Sequence, residues 1–252
     1  MEVLARLGLL ARALIYLLLG GLTFAIAFGA RRSEADQRGA FQDLAAHTGG
    51  LVVLWVIAIG LVGYSLWRLA EAAFGVAGEG KRAGPRLQSL GRAIIYAFLA
   101  ASAFSVIAGR RENQAERSQD LSARVMTHSG GRLLVGVIGV AIAVVGIVLV
   151  GQGLYRSFEK YLRLGDMGPR TRTVVRALGF VGTVARGLIV TLSGILVVDA
   201  AVRFDPAKAS GIDAAIRTLA QQPLGQALLV VAAIGLLAFG LYGIAEARWH
   251  VT

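Results

Sequence analysis

The chain has no cysteine, only three histidines and few charges: 16% of its 252 residues are Asp, Glu, Lys or Arg, against about 25% in an ordinary soluble domain. Without cysteine there are no disulfides, no thiolate metal sites and no cysteine nucleophile. With 56% hydrophobic residues, so few charges leave too little polar surface to keep a chain of this size in water. Phosphate-binding signatures are missing too. The 33 glycines form neither a GxxxxGK[ST] loop nor a strand-led GxGxxG. No acid–histidine cluster gathers metal ligands, and no local motif gives any serine the setting of a nucleophile. The chain is therefore expected not to be an enzyme and to carry no cofactor, with no catalytic, cofactor-binding or metal residue to name.

What the sequence does have is long apolar runs. Ala13–Ala30, Thr48–Trp67, Ala93–Gly109, Leu133–Tyr155 and Pro223–Ala245 are free of charge, and Ala177–Val198 is interrupted only by Arg186. A helix of about 20 residues crosses the hydrocarbon of a bilayer. Lone strands would leave backbone groups unpaired there, and no ten-residue alternation suggests a barrel. The run from Ala13 is longer than the core of a secretion signal and is read as a retained first span. The prediction is an all-α integral membrane bundle of six helices forming a single domain over residues 1–252.

An even number of spans puts both termini on one side. That side carries 15 of the 26 basic residues and the larger net positive charge. Arg31, Arg32, Arg110 and Arg111 lie on the other. The positive-inside rule then places both termini in the cytoplasm, with the chain in a bacterial inner membrane. The net charge of +11 is read as topology and as attraction to anionic headgroups on the cytoplasmic side, not as nucleic-acid binding. The expected partners are the lipid bilayer and a protein partner in a membrane complex.

Internal similarity is the most informative feature. First helices align as ARALIYLLLGGLTFAIAF, GRAIIYAFLAASAFSVIA and ARGLIVTLSGILVVDAAV; second helices end as GYSLWRLAEA, GQGLYRSFEK and AFGLYGIAEA. A polar stretch that is only partly apolar precedes each second helix: QRGAFQDLAAHTGG, QDLSARVMTHSGG and DAAIRTLAQQPLG. Each is predicted to be a short interfacial helix. The unit is span, interfacial helix, span, repeated over about 5–75, 85–161 and 176–250. Because each unit crosses twice, the repeats are parallel and suggest pseudo-threefold symmetry about the membrane normal. The ARxLIY-type openings, the GLxGYxLWRLxEA-type closes and the QQPLG entry to the last span resemble the bacterial membrane family known as domain of unknown function 1206. That resemblance implies three such repeats and brings no activity with it.

Each repeat opens on an arginine (Arg12, Arg92, Arg186) and closes on a glutamate (Glu71, Glu159, Glu246), 59, 67 and 60 residues apart. Charges in or near hydrocarbon must pair or snorkel. These six are therefore expected toward the cytoplasmic ends of their helices as a ring of ion pairs or a gate. Nine apolar residues precede Arg186, so it is the one expected to sit deeper. His47 and His128 occupy matching places, with Gln222 in the third repeat, and the two histidines are expected to be helix-entry or cap residues. The favoured function is a non-catalytic membrane scaffold or accessory subunit. The alternative is a channel or transporter for a small anionic solute along the pseudo-threefold axis.

Overall fold

The computed structural model describes residues 2–29, 37–75, 83–109, 114–128, 130–209 and 211–249. Arg31, Arg32, Arg110 and Arg111 lie outside them. Among the described residues nine α-helices follow one another: α1 (Glu2–Ala27), α2 (Gln37–Ala45), α3 (Gly50–Phe74), α4 (Ala83–Ile107), α5 (Gln114–Met126), α6 (Gly131–Leu154), α7 (Pro169–Arg203), α8 (Ile212–Ala220) and α9 (Gly225–Trp249). Among the described residues there is no strand. Six helices are long and apolar enough to span a membrane, namely α1, α3, α4, α6, α7 and α9. The three short ones, α2, α5 and α8, fall where the polar stretches precede each second span.

The turn that aims each short helix into the next span follows from local chemistry. At the first two corners Gly49 and Gly130 adopt positive φ, 79° and 81°, which costs glycine little. The next residue has no room for a side chain: a Cβ on Gly50 would lie 1.7 Å from the Leu44 carbonyl oxygen, and one on Gly131 equally close to that of Val125. The third corner, at Gly225, closes on Ala220 in the same way. His47 Nδ1 donates to the Asp43 carbonyl at 2.7 Å, His128 Nδ1 to that of Arg124 at 2.8 Å, and Gln222 to that of Thr218 at 3.4 Å. All three bond back to a carbonyl in the last turn of a short helix.

The heaviest packing joins different repeats. Each second helix lies against the first helix of the next unit: α3 on α4, α6 on α7, and α9 back on α1. Within the repeats α1 meets α3 and α7 meets α9, but among the described residues α4 and α6 make no extensive contact. The six helices thus form a ring open at one place, between the two spans of the second repeat.

The α6–α7 contact is made by small residues. A Cβ on Gly146 would come within 2.4 Å of the Thr191 backbone nitrogen, and one on Gly194 within 2.3 Å of that of Ala143. In lipid, where no hydrophobic force drives helices together, such close approach supplies the packing energy. Gly146→Ala should destabilise the protein by about 1–3 kcal/mol. Gly151→Ala, in the same helix with nothing within 4 Å, should be neutral or stabilising by up to about 1 kcal/mol. Thermal unfolding in detergent distinguishes the two; equal midpoints would contradict the close approach.

Candidate functional site

The helices extend well past the repeat arginines, which are therefore internal and not terminal. Arg12 comes ten residues after the start of α1 at Glu2 and Arg92 nine after the start of α4 at Ala83. Arg186 is the central residue of α7, seventeen residues from both Pro169 and Arg203. At 1.5 Å per residue it lies about 25 Å from either helix end.

Their partners differ from a symmetric ring. Arg12 donates to Glu246 at 2.5 Å, each side chain about one-tenth exposed, which ties the first repeat to the third. Glu71 is taken by Arg68 at 2.7 Å, one turn earlier in α3, and also accepts from Ser89 on α4 at 3.0 Å. Arg68 donates further to the Tyr64 hydroxyl at 2.8 and 3.1 Å and lies 4.2 Å from the Trp67 ring centroid. Glu159 accepts two bonds from Arg176, at 2.7 and 3.0 Å. Arg92 and Glu71 are not brought together, nor are Arg186 and Glu159.

Both departures have a physical origin. A local i,i+3 pair forms within one helix, so Arg68 reaches Glu71 at little entropic cost. In the second repeat α6 stops at Leu154, Arg156 turns the chain with φ 52°, and Glu159 falls in a 3₁₀ turn over Ser157–Tyr161. The glutamate leaves the helical register and meets Arg176, ten residues before Arg186. The longer arginine-to-glutamate spacing of that repeat is the trace of this change in the sequence.

Two arginines are thereby left without a carboxylate. Among the described residues neither Arg92 nor Arg186 makes an ion pair. Arg186 lies 4.9 Å from the ring centroid of Phe239 and 5.3 Å from that of Tyr16, two rings packed edge to face at 4.6 Å. Its Nε is buried without a hydrogen-bond partner. Two aromatic faces return about 0.5–2 kcal/mol each, against about 2.5–3.5 kcal/mol for placing arginine at the centre of a membrane helix. Tyr96 lies within electrostatic reach of both Arg12 and Arg186, and Arg92 within that of Arg12 and Arg68. Four arginines and two glutamates, Glu71 and Glu246, thus occupy one layer with two positive charges in excess.

Above this layer, toward the end that bears the short helices, a cavity of about 410 Å³ opens between the repeats. All three units line it: Gln37 of α2, Ser118 and Ser122 of α5 with Val135, Ile138 and Ile142 of α6, and Val190, Ser193 and Val197 of α7 with Ile212 of α8. The second repeat and α7 supply most of the lining, and the first repeat adds Gln37 alone. Val190 is one helical turn beyond Arg186 on the same face of α7, so the floor of the vestibule lies one turn from the position of the unpaired arginine. The lining is mostly apolar, with serine hydroxyls and one amide.

Sequence reasoning did not single out Tyr16, Phe239, Arg68 or Arg176, nor the vestibule serines. Tyr16 was within reach, because it follows Arg12 by one turn in the ARALIY segment. Arg68 is adjacent to the aromatic Trp67 in WRLAE. Arg176 and the serines had no signal, since only the folded chain brings them to their partners.

These features define a multi-pass helical membrane protein, built by threefold repetition around a positively charged layer. The chain belongs to the family described as Domain of Unknown Function (DUF1206), whose model matches three times, over residues 7–75, 87–156 and 181–250. It is 32% identical over 251 residues to the uncharacterized protein YxxB of Bacillus subtilis (strain 168), covering 98% of this chain and 90% of that protein. No solved structure matches the chain.

The paired and unpaired arginines should respond oppositely to removal. Arg12→Met leaves Glu246 buried and unpaired and should cost about 3–5 kcal/mol, most of which Arg12→Met combined with Glu246→Met should restore. Arg186→Met removes a charge with no ion-pair partner and should leave stability unchanged or raise it by about 1 kcal/mol, the insertion cost less the aromatic contacts. Unfolding of all three variants in one detergent gives the comparison. A loss of stability at Arg186 as large as that at Arg12 would refute its unpaired state.

Proposed function

We propose that the protein is a channel or transporter for anions, with the vestibule as entry and Arg186 as the residue that holds the anion. The observation that carries this reading is the unpaired Arg186, deep in the bundle and one turn below the vestibule floor. A charge kept in hydrocarbon without a carboxylate is costly to the fold, and such residues mark substrate or ion pathways. A bundle serving only as scaffold gains nothing from Arg186, whereas a pathway for anions needs a fixed cation at its narrow part. Two excess charges in the layer favour an anion over a cation and prevent the protein's own carboxylates from closing the site.

The basic excess on the side of the termini supports an orientation with both termini in the cytoplasm of a bacterial inner membrane. In that orientation the vestibule opens to the outside. Arg92, at the equivalent place in the second repeat, would offer the anion a second cation at the same depth.

Protein reconstituted in liposomes tests the reading with acetate, octanoate and inorganic phosphate as probes. Wild type should carry at least one of them well above protein-free vesicles. Arg186→Gln should reduce that flux at least tenfold while the protein remains folded by thermal unfolding. No flux of any probe, or flux indifferent to Arg186→Gln, would sink the proposal and return the protein to a structural role.

A further inference from the structure

The lack of extensive contact between α4 and α6 among the described residues bears on what kind of anion reaches Arg186. In a closed ring each helix covers the flank of its neighbour. Here the flank of α6 beside its vestibule face carries Leu134, Ile138 and Val145, exposed to 54, 47 and 55%. On α4 the corresponding flank exposes Ile95 to 59%. α6 is the least buried of the six spans, with 17% of its span buried, although it is also the most apolar. Ile138 belongs both to this flank and to the vestibule lining, so the gap and the vestibule are continuous.

The gap therefore forms an apolar slot running from the bilayer into the bundle, with a fixed cation deep inside. Val145 lies fourteen residues from the start of α6 at Gly131 and Ile95 twelve from the end of α4 at Ile107. Both are about 20 Å from the short-helix end and thus at nearly one depth. Arg92 is one turn from Ile95 on α4. A free inorganic anion would have no use for such a wall, which offers it neither donors nor water. An alkyl chain fits it, and the uncompensated charge of Arg186 and Arg92 fits the head of that chain.

We infer that the ligand is a single-chain anionic amphiphile, of the fatty-acid class, that enters sideways from the bilayer between α4 and α6, its carboxylate at Arg186 and its chain along the slot. This inference rests on the anion site at Arg186 and adds to it the apolar half of the ligand and its route. The serine-lined end of the vestibule then gives the carboxylate a polar exit toward the short-helix end.

Binding of oleate and of acetate to the full chain in phosphatidylcholine nanodiscs tests this. Wild type should bind oleate at least a hundredfold tighter than acetate, and Arg186→Gln should weaken both at least tenfold. Val145→Trp fills the slot away from the anion site; it should weaken oleate at least tenfold and leave acetate unchanged. Ile95→Trp on the opposite wall should repeat that result and guards against misfolding of the first variant. Acetate bound through Arg186 with oleate no tighter, or oleate binding indifferent to both tryptophans, would overturn the amphiphile while keeping the anion site. Failure of both probes to bind would remove the anion site itself. The absence of cysteine allows one further control: efficient crosslinking of Val145→Cys between two copies would show the slot covered by a second chain and overturn the lipid route.

Discussion

The interior of this protein is governed by the cost of arginine in hydrocarbon. A guanidinium cannot lose its proton at any ordinary pH, so each buried arginine must find a carboxylate, an aromatic face or a bound anion. Arg12 finds Glu246 and joins the first and third repeats through α1 and α9. Arg68 finds Glu71, Tyr64 and Trp67 within its own helix. Arg176 takes Glu159 near the end of α6. Among the described residues Arg186 finds two aromatic rings and no carboxylate, and Arg92 likewise makes no ion pair.

Pseudosymmetry makes the shortfall intelligible. Three units of one pattern would give three equivalent pairs if the repeats were identical. The second repeat breaks the pattern twice: its second span ends early, and its two spans do not pack on each other. The first break withdraws Glu159 from Arg186. The second opens the ring on the same side. One divergent repeat thus accounts for both the arginine without a carboxylate and the opening of the ring.

The same divergence shapes the packing. The α6–α7 pair is held by glycine-mediated backbone approach rather than by interlocking large side chains. This leaves the large apolar residues of α6 facing outward and toward the gap. Large buried side chains are instead concentrated around α1, α3 and α4, where Leu9, Leu54, Leu61 and Tyr64 form the main core. The bundle is densely packed on the side of the first repeat and open on the side of the second.

Spans, interfacial helices and their order were legible in the sequence, because each is set by local quantities: apolar length against bilayer thickness, the glycine corner and the repeat itself. So was the capping role of His47 and His128, which depends on a carbonyl four residues away. The pairing of charges was not. The sequence marked Arg12, Arg92, Arg186, Glu71, Glu159 and Glu246 as a set, but whether two of them meet depends on helix ends and on which neighbour arrives first. Only the tertiary structure decided that Arg12 meets Glu246 while Arg186 goes without. It alone decided that the ring stays open at α4 and α6, because contacts between helices distant in sequence follow from the shape of whole surfaces and leave no periodicity to read.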